Sequence, residues 1–180
     1  TSPHPGDWRT IIFNFGSTGT IANTIIRYGG ASLRNDTGQY IRFPIIENNG
    51  GALSFLRTEV RGGYYGIRQN SGTMTITDSE ITDTGYGVFF GDVFGMGGGT
   101  AVIRRSSIHD NWNFGVYAYS AARTDARENW WGSGTGPTHP SNPGGTGDRV
   151  SYGVNFSGWL TQWPATATPP ACTENCYSNV

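Results

Sequence analysis

A single phrase recurs along this chain: an apolar residue, four mostly polar residues, an apolar residue, then a glycine-rich turn into a short strand. It is clearest at Ile76 to Ile81, followed by Gly87-Val88-Phe89, and it returns at Ile103 to Ile108, followed by Gly115-Val116-Tyr117. A third copy, Phe55 to Val60, leads into Gly66-Ile67-Arg68, and a degenerate copy spans Ile21 to Ile26. The phrases begin 21 to 34 residues apart. Such a period marks repeat architectures, in which one unit cannot bury its own apolar face and must stack on its neighbours. Met74 and Ile76 alternate with Thr73, Thr75 and Thr77, the period of a strand. The i, i+3, i+4, i+7 spacing that helical repeats require is missing from the phrases. The expected fold is therefore all-β: a right-handed parallel β-helix (a solenoid) of about five turns with a C-terminal cap.

Stacking predicts columns. Ile26, Val60, Ile81 and Ile108 are expected above one another inside the molecule, as are Ile12, Ile41, Ile67, Val88 and Val116. Thr24, Thr58, Ser79 and Ser106 form a hydroxyl column at a tight corner, preceded by Asn23, Arg57, Asp78 and Arg105. Asp78 is expected between the two arginines, about 4.8 Å from each neighbouring strand. Tyr65, Tyr86 and Phe114 form an aromatic column. Pro44 is expected to end the strand at Tyr40 to Phe43, because proline donates nothing to a ladder, and residues 29 to 39 read as an inserted loop.

Glycine is abundant, at 28 of 180 residues, and charged residues make up only 14%, a balance that suits many strands joined by tight turns. The net charge of −1 offers no basic field for nucleic acid, and no apolar run approaches the length that inserts into a membrane. Cys172 and Cys176, the only cysteines, are expected to form a local disulfide, which points to an oxidising, secreted or cell-surface location. Two thiolates with no histidine near them in sequence leave a zinc site half empty, so neither a metal nor a cofactor is expected. The chain starts at Thr1 without methionine and ends at Val180 without a polar tail, and flanking domains are expected on a longer protein.

After Tyr119 the repeat decays into Glu128-Asn129-Trp130-Trp131-Gly132, then Gly136-Pro137, then Val150, Val154-Asn155-Phe156 and Trp159-Leu160. Together with Gly6-Asp7-Trp8 near the start, this string resembles the closing turn of bacterial exported right-handed parallel β-helix proteins of the pectin-lyase-like kind. The resemblance covers residues 6 to 163 and implies a β-helix with its cap over residues 1 to 163, leaving 164 to 180 as a linker or tail. Such proteins usually carry further turns before the Gly-Asp-Trp strand. The raw strand edge at Trp8 to Phe15 is therefore expected to pair with another copy of the chain, or to be covered by residues 1 to 7 or by the C-terminal tail.

The family includes adhesins and carbohydrate-active enzymes, so the resemblance leaves function open. Asp83 and Asp110, each two residues past an aligned isoleucine, are the candidate catalytic carboxylates, with His109 as a candidate base and Asp78 and Asp92 nearby. Aspartate also favours corners, because it tolerates the left-handed region and bonds its own backbone. The sequence lacks the Asn-Thr-Asp and Arg-Ile-Lys signatures of polygalacturonases and the calcium-binding aspartate ladder of pectate lyases. Residues flanking the strand centres, Phe13, Arg42, Arg68, Phe89 and Tyr117, with Trp112, Phe94 and Tyr119 extending them, are candidates for stacking on sugar rings, unless residues 29 to 39 or 133 to 147 cover them. The favoured expectation is a non-catalytic structural or glycan-binding module whose partner is a polysaccharide. The alternatives are a fragment of a polysaccharide lyase or hydrolase, and a spacer for a catalytic domain beyond Val180.

Overall fold

The computed structural model describes residues 2–91, 98–118 and 124–167. Cys172 and Cys176 lie outside the described residues, as do Asp92, Phe94 and Tyr119. The chain is mostly β, without an α-helix among the described residues. In order the strands are β1 (Ile11–Asn14), β2 (Thr18–Ala22), β3 (Ile25–Arg27), β4 (Ser32–Arg34), β5 (Tyr40–Arg42), β6 (Pro44–Leu56), β7 (Glu59–Thr77), β8 (Glu80–Phe90), β9 (Thr100–Arg104), β10 (Ser107–His109), β11 (Phe114–Ala118), β12 (Thr124–Asp125), β13 (Pro137–Thr138), β14 (Gly147–Arg149) and β15 (Val154–Asn155). A large parallel sheet of eleven strands joins all but β4, β5, β13 and β14.

The register within that sheet is the period of the sequence. One ladder runs Ile21, Phe55, Ile76 and Ile103. A second runs Ile26, Val60, Ile81 and Ile108, as the phrase predicts. The third runs Ile11, Ile46, Ile67, Val88, Val116 and Val150. It corrects two expected members. Ile11, not Ile12, takes the inward register, because Phe13 also turns in against Gly19 and packs on the core. Ile41 belongs to the antiparallel β4–β5 hairpin, which replaces the loop expected at residues 29 to 39. The strand at Tyr40 ends at Arg42, ahead of Pro44 as expected, and Pro44 also begins the next strand. The first position of a strand is where the missing N–H is harmless.

Two corners are built alike. Asn23, Arg57, Asp78, Arg105 and Glu128 all sit in the left-handed region, with φ of 53°, 48°, 50°, 47° and 59°, a conformation that costs most non-glycine residues about 1–2 kcal/mol. The next residue turns inward and offsets that cost. The hydroxyls of Thr24, Thr58, Ser79 and Ser106 each donate to the carbonyl two residues back. The Ser79 Oγ accepts the Thr58 amide at 3.1 Å, the Ser106 Oγ accepts the Ser79 amide at 3.1 Å, and Asn129 Oδ1 accepts the Ser106 amide at 2.9 Å. The second corner has Tyr28, Asp83 and Asp110 at φ of 64°, 50° and 57°. Here the Asn111 Oδ1 accepts the Thr84 amide at 3.2 Å, and the Asp148 carboxylate accepts the Asn111 amide at 3.2 Å and its Nδ2 at 2.8 Å. At the first corner only Arg105 closes on Asp78, at 2.9 Å; among the described residues the bridge expected from Arg57 is missing.

The core holds the buried inward residues of all three ladders together with buried Trp131, and Phe156 and Trp159 pack against it. Replacing buried Ser106 by alanine leaves the Ser79 amide without its acceptor, and chemical denaturation is expected to show a loss of about 1–3 kcal/mol. Asn129→Ala is expected to lose more, because its Nδ2 also satisfies the carbonyls of Ile103 and Ala126, both at 2.8 Å.

Candidate functional site

The outward side of the third ladder carries the aromatic residues. Tyr65 and Tyr86 stack with ring centres 5.3 Å apart, and Tyr86 and Phe114 stack at 5.9 Å with planes 9° apart. Beside them Phe89 and Tyr117 stack at 5.3 Å, also 9° apart. Edge contacts tie the two stacks together through Tyr86–Phe89 and Phe114–Tyr117. Tyr64 joins the network against Tyr65 and Tyr86, and Trp112 lies 6.5 Å beyond Tyr64. These seven rings form one continuous wall, all half-buried except Trp112, which is 62% exposed.

A glycine column lets the rings come this close. Gly66, Gly87 and Gly115 pack so tightly that a Cβ on Gly66 would lie 2.6 Å from the Gly87 carbonyl oxygen, and one on Gly87 would lie 2.5 Å from that of Gly115. The strand can therefore rise only by the inter-strand spacing, and planar side chains at equal height must stack. Burial raises the phenol pKa values of Tyr65 and Tyr86, aided by neighbouring tyrosines.

Arg68, Phe89 and Tyr117 fall in one register, so these three candidates come together. Arg68 is held by Glu47 at 2.7 Å. Arg42 stands apart on β5 and reaches over the Tyr64 ring at 3.9 Å. At the opposite end Arg149 lies over Phe114 at 5.3 Å. There the wall opens into a groove of about 810 Å³ between β11 and residues 138–153, lined by Phe114, Tyr117, His139, Arg149 and exposed Tyr152. Of the two segments expected to cover the aromatics, only Thr138, His139 and Pro140 line this cleft, and the rest of that bank is Arg149 to Gly153. Sequence reasoning missed Arg149 and Tyr152, because nothing in a glycine- and proline-rich loop marks which residues fold back. Phe13, expected on this face, points into the core instead.

The acidic candidates lie on the second corner and are engaged there. Asp83 pairs with Arg61 at 2.5 Å, and Arg61 also approaches the buried Glu59 held by Arg27. Asp110 contacts His109 Nδ1 at 2.7 Å, while His109 Nε2 contacts Glu80 at 3.0 Å. Among the described residues no group of three or more His, Cys, Asp or Glu side chains is arranged to hold a metal ion. Burial disfavours the charged His109 ring, but its hydrogen bonds to Glu80 and Asp110 outweigh this and raise its pKa.

The carboxyl that sequence reasoning overlooked is Asp148. Burial pushes its pKa up to about 7, against the opposing pull of its hydrogen bonds from Asn111. Folding therefore favours the protonated Asp148 and the protonated His109. The stability each contributes is complete below its unfolded pKa and is lost as pH rises through its folded value. The Asp148 contribution is expected to fall away from about pH 4, the ordinary range of an aspartate, to about pH 7. Asp148→Asn is expected to flatten that slope in urea titrations run across the range. No protein-family model matches the chain, and neither does any curated protein or solved structure.

Proposed function

We propose that the chain is a right-handed parallel β-helix of the pectin-lyase-like kind, with five turns and a C-terminal cap, serving as a non-catalytic glycan-binding module of a larger exported bacterial protein. The helical path is supported by three parallel ladders that recur in the same order along the chain. The closing segment from Glu128 to Leu160, on which the resemblance rests, supports it too.

The observation that carries the binding role is the wall of seven contacting rings opening into the groove beside Tyr152. Flat apolar ring faces match the C–H faces of pyranose sugars, and the neighbouring guanidinium and hydroxyl groups suit sugar hydroxyls. The positive charges there are already moderated, Arg68 by Glu47 and Arg42 and Arg149 by the rings beneath them. The face therefore favours stacking over simple attraction of polyanions. A role for Asp83, Asp110 and His109 in a lyase or hydrolase is less well supported, since left-handed backbone at the aspartates and ion pairs at all three give them structural work.

A screen of neutral and acidic oligosaccharides, followed by calorimetry on any hit, tests the binding role. Phe89→Ala and Tyr117→Ala remove outward rings without opening the core. Each is expected to weaken binding at least about tenfold, equivalent to about 1.4 kcal/mol. Absence of binding by the unaltered chain across the screen, or unchanged affinity in both variants, would sink the binding role.

A further inference from the structure

The groove beside the aromatic wall differs from the wall itself, because it has two banks and few unused polar groups. One bank carries the Phe114 and Tyr117 rings, in edge contact at 4.9 Å. The other carries the His139 and Tyr152 rings, in edge contact at 5.2 Å. Buried Ala118 and Val150 also line it. The polar side chains among them are already engaged. The Ser151 Oγ accepts the Ala118 amide at 2.7 Å and donates to the Ala118 carbonyl at 3.2 Å. The Thr138 hydroxyl donates to the Gly147 carbonyl at 2.8 Å, and His139 Nδ1 is held by the Ser141 hydroxyl at 2.7 Å. A pyranose seated here would leave hydroxyls without partners, which opposes binding. A flat aryl ring has no such demand, and about 810 Å³ is within the range of small-molecule sites.

The groove also carries a charge with no opposite beside it. Among the described residues no aspartate or glutamate lines it, and Arg149 takes part in none of their ion pairs. Asp148, its neighbour in the chain, is turned onto Asn111, accepting the Nδ2 at 2.8 Å. Asp110, which shares an adjoining pocket with Arg149, is engaged by His109 at 2.7 Å. The Phe114 ring beneath the guanidinium attracts the cation without neutralising it. A guanidinium fork in this state matches a carboxylate. On the rim, Tyr152 leaves a large ring 74% exposed, where it can close over a ligand that lies on the opposite bank.

We propose that the groove binds a small aromatic carboxylate, its ring held between the Phe114–Tyr117 and His139–Tyr152 pairs and its anion paired with Arg149. This goes beyond the binding of a glycan to the wall and does not depend on it.

The test is an NMR titration of the full 180-residue chain with hydrocinnamate, with its neutral carboxamide, and with cyclohexanepropanoate as the anion that lacks an aryl ring. The expected result is saturable binding of hydrocinnamate with a Kd of about 1 mM or tighter, and clearly weaker binding of the other two. Arg149→Gln changes an exposed side chain and is expected to weaken hydrocinnamate at least about tenfold while leaving the carboxamide unchanged. Tyr152→Ser, also at an exposed position, is expected to weaken the acid and the carboxamide together. No saturable binding of hydrocinnamate, equal affinity for the acid and its carboxamide, or affinities unchanged in both variants would overturn the proposal. These outcomes are read without any sugar. A chain that binds no oligosaccharide can still meet them, and one that binds oligosaccharide but no aromatic acid loses this site and keeps the wall.

Discussion

Everything in this fold depends on a buried side chain presenting an oxygen to the backbone amide one repeat earlier. A parallel ladder can run straight on hydrogen bonds between strands, but a corner breaks the pattern and strands an N–H in the interior. An unsatisfied buried N–H costs about 1–3 kcal/mol. Ser79, Ser106 and Asn129 remove that cost at one corner, and Asn111 and Asp148 at the next. At the turn after the third ladder, buried Asn48 does comparable work within its own repeat. Its Oδ1 accepts the Gly51 amide at 2.7 Å, and its Nδ2 reaches Gln69 at 3.0 Å. Because these side chains are short and mostly buried, they fix the height of one repeat on the next to within a hydrogen bond's tolerance.

That tolerance is what aligns the outer face. Stacked rings gain only about 0.5–1.5 kcal/mol per pair beyond their burial, too little to impose a register against the backbone. Once the corner ladders and the Gly66, Gly87 and Gly115 contacts have set the rise, Tyr65, Tyr86 and Phe114 fall into a stack with no further adjustment. The inner polar residues and the outer aromatic residues are thus linked: a corner that slipped would also misalign the wall.

What can be read from the sequence divides along the same line. Ile26, Val60, Ile81 and Ile108 are legible as a column because the phrase repeats with fixed internal spacing. So are the corner hydroxyls and the tyrosine stack, since each recurs at one offset from an apolar landmark. Ile41 misleads because an apolar residue in a hairpin looks like one in a ladder. The true signal is Ile45-Ile46, directly after Pro44, and it emerges only if a proline is allowed to start a strand. Asp148 and Arg149 are illegible for a different reason. Residues 133–147 separate them from Gly132, and no periodicity survives such an insertion. The second corner ladder is within reach, since Thr84 and Asn111 follow the aligned Asp83 and Asp110 directly.

The corner ladders also have a polarity. Each amide points towards the C-terminal side and is met by a side chain of the following repeat. The last of these amides on each ladder is met by a side chain from the segment that follows the regular phrases. An amide serves at the first corner, where Asn129 can also donate to Ile103 and Ala126. A carboxyl serves at the second, where Asn111 supplies donors from both its backbone and its side chain. The carboxyl is the more demanding choice, because burying it favours the protonated form, and the N–H groups of Asn111 only partly compensate. The first repeat has the opposite surplus: an acceptor-bearing side chain at Thr24 with no amide before it among the described residues. An unused acceptor beside water is cheaper to leave than an unused buried donor. The demand for a chosen side chain therefore falls at the donor end of each ladder, where Asn129 and Asp148 meet it.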